Sequence, residues 1–221
     1  MSDVKFWDGN AWIDPCDKEV NIWTGNEWKT LKNGDAIWTG TEWKGIVCNT
    51  VFKPFDFAVV RYRWLGAAGN DLDTRTSLSN VPGAGSEVGY NTGFTRVPDN
   101  GVAFIQWGGD NTSQDGGVEA ILINFEAIIL ANPTLTEIRI ALKAHWHGTK
   151  KTGDIKLEFQ TYLGGEMTGP TIAKDFENSG GAEAQKEVVD TTVTHARAVD
   201  AIYDDLGILV YNVASKTASF V

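Results

Sequence analysis

The segment DIKLEFQTYLGG, residues 154–165, decides the fold. Ile155, Leu157, Phe159 and Thr161 alternate with Lys156, Glu158 and Gln160, the period of two expected of a strand with one buried face. Working outward, the same texture recurs in FAVVRYRWLG (57–66), GVAFIQWGG (101–109), GVEAILINF (117–125), TEIRIALKAHWHG (136–148), KEVVDTTVTHA (186–196) and GILVYNV (207–213). Only FEAIILANP (125–133) predicts a helical turn, stopped by Pro133. Seven or more strands with Gly-rich turns, and no alternation of strand with helix, predict a jelly-roll-like β-sandwich over residues 55–221. The segments 79–100 and 164–185 are rich in Gly, Ser, Asn and Pro and predict long exposed loops.

Upstream the texture changes. FWDGNAW (6–12), IWTGNEW (22–28) and IWTGTEW (37–43) repeat one phrase, which holds six of the nine tryptophans. Each phrase reads as a two-residue hairpin turning at Gly9-Asn10, Gly25-Asn26 or Gly40-Thr41, with Gly first as a type II′ turn requires. Trp7 then faces Trp12, Trp23 faces Trp28, and Trp38 faces Trp43, at non-hydrogen-bonded positions where side chains approach most closely. Asn33-Gly34 predicts a type I′ turn between the second and third hairpins, whereas Pro15 interrupts any ladder after the first. Residues 1–54 are thus a tandem Trp-hairpin meander, similar to designed tryptophan-zipper hairpins, and the whole chain is all-β. Each Trp pair contributes about 0.5–1.5 kcal/mol beyond its buried area, while ordering a residue costs roughly 1–2 kcal/mol. Such a meander stays marginal unless its Trp face is covered by the second domain, another copy of the chain or a different protein. Three roles compete for the indoles: local core, sugar-stacking platform and docking surface.

The 221 residues leave room for one all-β domain and a small appendage, and a 42% hydrophobic content is enough to build a packed core. The formal charge of -10 argues against a nucleic-acid partner, which needs a Lys/Arg surface. Residues 1–54 hold 6 Lys and 8 Asp/Glu, the remainder 13 Lys/Arg and 21 Asp/Glu, so the acidity lies mostly in the sandwich. The opening MSDVKFWDGN has no apolar signal-peptide core, and no run of about 18 apolar residues predicts membrane insertion. Cys16 and Cys48 make no disulfide framework, and a bridge between them stays open; a chain made in a reducing cytoplasm is expected.

Three constellations bear on chemistry. In NDLDTRT (70–76), Asp71 and Asp73 point to one side of an extended segment, as paired oxygen ligands for a hard cation do. GGDNTSQDGGVE (108–119) supplies Asp110, Asn111, Asp115 and Glu119 as completing ligands. The competing account is an Asp-capped turn whose carboxylates accept backbone N–H groups. No cofactor is required, and Ca2+ at these carboxylates is the one candidate. His145 and His147 share a face of one strand, but two imidazoles do not close a metal site; His195 stands alone. No nucleophile elbow, P-loop, dinucleotide-binding glycine pattern or H-E-x-x-H is present, and no order or spacing selects a pair of glycosidase carboxylates, so no enzyme is expected.

The strings VVRYRWLGAAGNDLDTRTSL (59–78) and WGGDNTSQDGGVEAILINF (107–125) resemble a domain of tailed-bacteriophage virion proteins, including those of phages infecting Bacteroidetes. The likeness covers roughly residues 57–165, and the W-x-G-x-x-W repeats are similar to repeats in phage fibre and tail proteins. It implies a structural or adhesive virion component, namely a head fibre, capsid decoration protein or tail appendage. Its partners would be other virion proteins and copies of itself, a trimer first, with a host-surface glycan as a further target. NGDAIWTGTEWKG (33–45) is also similar to the short chitin-binding modules of bacterial chitinases, although their Trp-rich linking segment is missing after Trp43. The rival function is therefore a carbohydrate-binding module of a bacterial surface or secreted protein.

Overall fold

The computed structural model describes residues 6–7, 10–13, 20–31, 36–38, 40–45, 50–65, 70–82, 87–92, 95–96, 102–114, 116–149, 152–169 and 176–221. The chain divides into two compact units, Met1–Thr50 with Val221, and Val51–Phe220.

Three hairpins build the first unit: β1 (Phe6–Trp7) with β2 (Trp12–Ile13), β3 (Asn21–Trp23) with β4 (Trp28–Thr30), and β5 (Ala36–Trp38) with β6 (Trp43–Gly45). Their register follows the tryptophan spacing, with Trp7 opposite Trp12, Trp23 opposite Trp28 and Trp38 opposite Trp43. Gly25 and Gly40 take φ of +99° and +95°, as the first position of these turns demands. Thr24 N donates to Glu27 O at 2.9 Å, which leaves the neighbouring Trp pair at a non-hydrogen-bonded position. Gly9, Pro15, Cys16, the Asn33-Gly34 turn and Cys48 lie outside the described residues.

The second unit comprises β7 (Thr50–Phe52), β8 (Phe57–Leu65), β9 (Leu72–Leu78), β10 (Glu87–Gly89), β11 (Thr95–Arg96), β12 (Ile105–Trp107), β13 (Gly116–Asn124), α1 (Phe125–Ala131), β14 (Glu137–Trp146), β15 (Gly153–Leu163), β16 (Glu166–Thr168), β17 (Glu177–Ser179), β18 (Ala182–Val193), β19 (Asp204–Asn212) and β20 (Thr217–Phe220). Two six-stranded sheets form, ordered β10-β9-β14-β19-β20-β7 and β11-β12-β13-β8-β15-β18. The chain passes repeatedly between them, and the result is the all-β sandwich that the alternation predicts.

Alternation dictates which face is buried. Ile155, Leu157 and Phe159 of β15 join Ala58, Val60, Tyr62 and Trp64 of β8 in a core shared with Ile138, Ile140 and Leu142 of β14. Polar groups that reach this interior are paired across the sheets, as Tyr62 Oη is with Thr76 Oγ1 at 2.9 Å. Helix α1 is capped by Asn124, whose side chain accepts from Ala127 N, and Phe125 stacks on Tyr211 with ring centres 4.0 Å apart.

Two segments expected as exposed loops are structured. Residues 164–185 contain the β16–β17 hairpin, and Met167 and Phe176 cover Phe57, Val59, Ala120 and Leu122 on the outer face of β8 and β13. Those strands are apolar on both faces, so a second cover is needed. Within residues 79–100, β10 extends β9, and Val81 and Val88 enter the core.

Candidate functional site

The first unit places two kinds of side chain on opposite faces. Val20 and Leu31 are buried, with Phe6, Ile22 and Ile37 packed against them, so all three hairpins pool one apolar face. Five indoles occupy the other. Trp7, Trp23, Trp28, Trp38 and Trp43 are 55–70% exposed. The strand period explains the division, because Ile22 and Ile37 each precede a Trp by one residue and must point the other way. This corrects the idea that the indole pairs form the local core. Trp23 and Trp28 have ring centres 5.7 Å apart with planes at 58°, and Trp38 and Trp43 lie 5.8 Å apart at 54°. Each pair is therefore a tilted, edge-biased contact and not a coplanar platform. Trp12 is placed by its register opposite Trp7.

The second arrangement lies at the start of β9. Leu72, Thr74 and Thr76 turn toward the other sheet, while Asp73 and Arg75 turn away from it. Asp73 faces His145 directly in the β9–β14 ladder, and His147 N donates to Asp71 O at 3.0 Å. The D-x-D of one strand thus lies across the H-x-H of its neighbour. His145 Nε2 is 3.2 Å and His147 Nδ1 3.5 Å from Asp73 Oδ2, while His145 Nδ1 sits 3.3 Å from Ile202 O. The His145 ring stacks on Tyr203 at 3.8 Å, and the Arg75 guanidinium lies over that same phenol ring at 4.3 Å. Burial pushes the Tyr203 hydroxyl up to about 12.

Asp110, from the loop after β12, joins this place. One carboxylate oxygen each from Asp71, Asp73 and Asp110 lies within 4.8 Å of the others. Asp71 and Asp73 are buried, and Asp110 is exposed. Burial raises the Asp71 carboxyl above the ordinary range; His147 offsets part of this, and Asp73 and Asp110 add to it.

Glu119 and Asn111, the other described candidates, are engaged elsewhere. Glu119 is fully buried on the inner face, where it accepts from Thr74 Oγ1 at 2.5 Å, Trp107 Nε1 at 3.2 Å and Asn111 N at 3.1 Å. Asn111 spends its amide on Val118 O and on Ser113 N within its own loop. Asp115 lies outside the described residues. His195, solitary in sequence order, contacts Asp204 Oδ1 through its ring at 2.7 Å.

No family model, curated protein or solved structure matches this chain. Among the described residues no helix is long and apolar enough to cross a membrane.

Proposed function

We propose that this chain is a non-enzymatic structural component of a tailed-phage virion, made in the host cytoplasm and incorporated as a head fibre, decoration protein or tail appendage. The tandem Trp hairpins are its docking surface, and the sandwich loops serve host attachment. The observation that carries the docking role is the exposed indole face set against a separate aliphatic cluster. Aromatic side chains left in water while a unit has its own packed interior mark an interaction surface. The occupant proposed is further copies of this chain, a trimer first, beside other proteins of the particle; closed symmetry covers aromatic faces and sheet edges together.

The indole exposure also favours a second function, carbohydrate binding by the hairpins. The ring tilts of 54–58° weigh against it, because sugars stack on faces and each pair turns one ring toward the edge of the other. Catalysis is not part of the proposal. Of the two carboxylates in the groove lined by Arg61, Arg63 and Lys186, Glu158 is held by Arg63 through two bonds of 2.7 and 3.1 Å, and Glu187 accepts from Gln185 Nε2 at 2.6 Å.

Sedimentation of the full chain and of its Trp23→Ala/Trp38→Ala variant, with a polysaccharide pull-down of each, tests the two functions. A wild-type oligomer that dissociates in the variant, without polysaccharide capture, supports docking. A wild-type monomer that captures polysaccharide through these residues removes the docking reading and establishes its rival.

A further inference from the structure

The three-carboxylate cluster belongs to the second unit, and its argument does not depend on the docking function. Its central member, Asp73, is 1% exposed, and the two imidazoles beside it both address Oδ2. Oδ1 of the same carboxylate is buried without any hydrogen-bond partner. A buried carboxylate oxygen with no donor is a costly feature, and two further carboxylates at short range make it worse. Neither imidazole supplies Oδ1, and no lysine or arginine is ion-paired with Asp73 among the contacts described. A cation seated among the three carboxylates would answer both problems at once.

The donor set states which cation. Its three members are carboxylate oxygens, with no thiolate, and both nitrogens of the nearest buried imidazole, His145, are already directed at Asp73 and Ile202. Hard oxygen donors with one exposed member suit an ion that takes six to eight oxygens at flexible geometry and completes its shell with water.

We propose that Asp71, Asp73 and Asp110 form a Ca2+ site that fastens the loop after β12 to the start of β9. These elements belong to opposite sheets of the sandwich, so the ion ties the two layers together at one end. The loop's other attachments include Asn111 N to Glu119 Oε1 and the Trp64 Nε1 bond to Ser113 O on its inner side, and Gly108 N to Ala120 O and Asn111 Nδ2 to Val118 O along β13. The Ca2+ site holds the remaining side.

The test uses the full chain, stripped of divalent ions with a chelator that is then removed, near neutral pH. Calorimetric titration with CaCl2 and thermal melts with CaCl2, or with NaCl at matched ionic strength, are run on wild type, Asp110→Asn and Asp71→Asn. Asp110 is exposed on a loop, so its replacement keeps the fold. The expected result is saturable Ca2+ binding with a rise of several degrees in Tm that NaCl does not reproduce. Asp110→Asn weakens Ca2+ binding at least tenfold. Asp71→Asn raises the Tm of the Ca2+-free chain, by relieving repulsion, and abolishes the Ca2+-dependent rise. A merely structural Asp71 would lower Tm in both conditions. Absence of calorimetric binding in wild type, a rise equalled by NaCl, or wild-type affinity in both variants overturns the site.

Discussion

Gly117 stands directly opposite Trp64 in the β8–β13 ladder, and a Cβ placed on it would lie 2.5 Å from the six-membered ring of that indole. The glycine's role is close approach, not an unusual backbone angle. Trp64 is fully buried and donates through Nε1 to Ser113 O at 3.1 Å, so its position bears on the loop that carries Asp110.

Gly117→Ala therefore forces the indole to shift, and overpacking of this kind costs about 1–3 kcal/mol. Trp64→Phe shortens the ring at the point of collision. The double variant should lose less stability in urea melts than the two single losses added together. Strict additivity would show that the two residues do not meet.

Ile22 and Trp23, adjacent in sequence, lead to a second expectation. Leu31→Ala empties part of the buried aliphatic cluster and should destabilise the first unit by about 2–3 kcal/mol. Trp28→Ala removes one partner of a 70% exposed pair and should cost about 1 kcal/mol. Urea titration monitored by near-ultraviolet circular dichroism ranks the two. A larger loss for Trp28→Ala would return the indoles to the interior.

What the sequence conveyed depended on how local each cause is. The Trp pairing was legible because a two-residue glycine turn fixes opposite neighbours within seven residues. The exposure of those indoles was not, since it depends on which face the three hairpins pool. Strand β15 was legible from alternation alone, whereas β20 shows only Ala218 and Phe220 as inward residues, too short a pattern to stand out. Asp71 and Asp73 were readable as a pair, and Asp110 was among the candidates. Its selection over Glu119 follows from parity, because Glu119 shares the inward face of Ile121 and Ile123. That signal was present in GVEAILINF. The meeting of Asp73 with His145 was not, because no local feature chooses which strands become neighbours.

Asp56 is nearly buried, yet it accepts from Lys216 Nζ at 2.5 Å and from Gly164 N at 2.8 Å, joining the entry to β8 with two distant turns. The carboxylate raises the Lys216 ammonium above its usual range through that hydrogen bond. The two ends of the pair are unequal. Asp56→Ala frees a half-exposed lysine that water can solvate, at a cost of about 2 kcal/mol in lost charged hydrogen bonds. Lys216→Met leaves a buried carboxylate with one backbone donor and should cost more, about 3 kcal/mol. Urea denaturation of both variants checks the order, and the reverse order would mean that solvent reaches Asp56.

The residues Asp204, His195 and Thr194 give the pH dependence a definite sign. Burial alone would raise the Asp204 carboxyl, but bonds from His195 N at 2.9 Å, Thr194 Oγ1 at 2.8 Å, the His195 ring at 2.7 Å and Thr194 N outweigh it and hold the group below its ordinary range. An unfolded aspartate titrates near about 4. Between the lowered folded value and that point, the unfolded chain binds more protons than the folded one, so stability rises with pH across this window. The contribution is complete above about pH 5 and disappears as the pH falls through the folded value. Asp204→Asn, which keeps the shape and removes the charge, should lose about 1–2 kcal/mol at pH 7 relative to wild type. The gap should narrow on acidification toward about pH 3, measured by urea melts at each pH. A gap that stays constant from neutral to acid would show that the carboxylate is held by shape alone, and that its four donors do not favour the charged form.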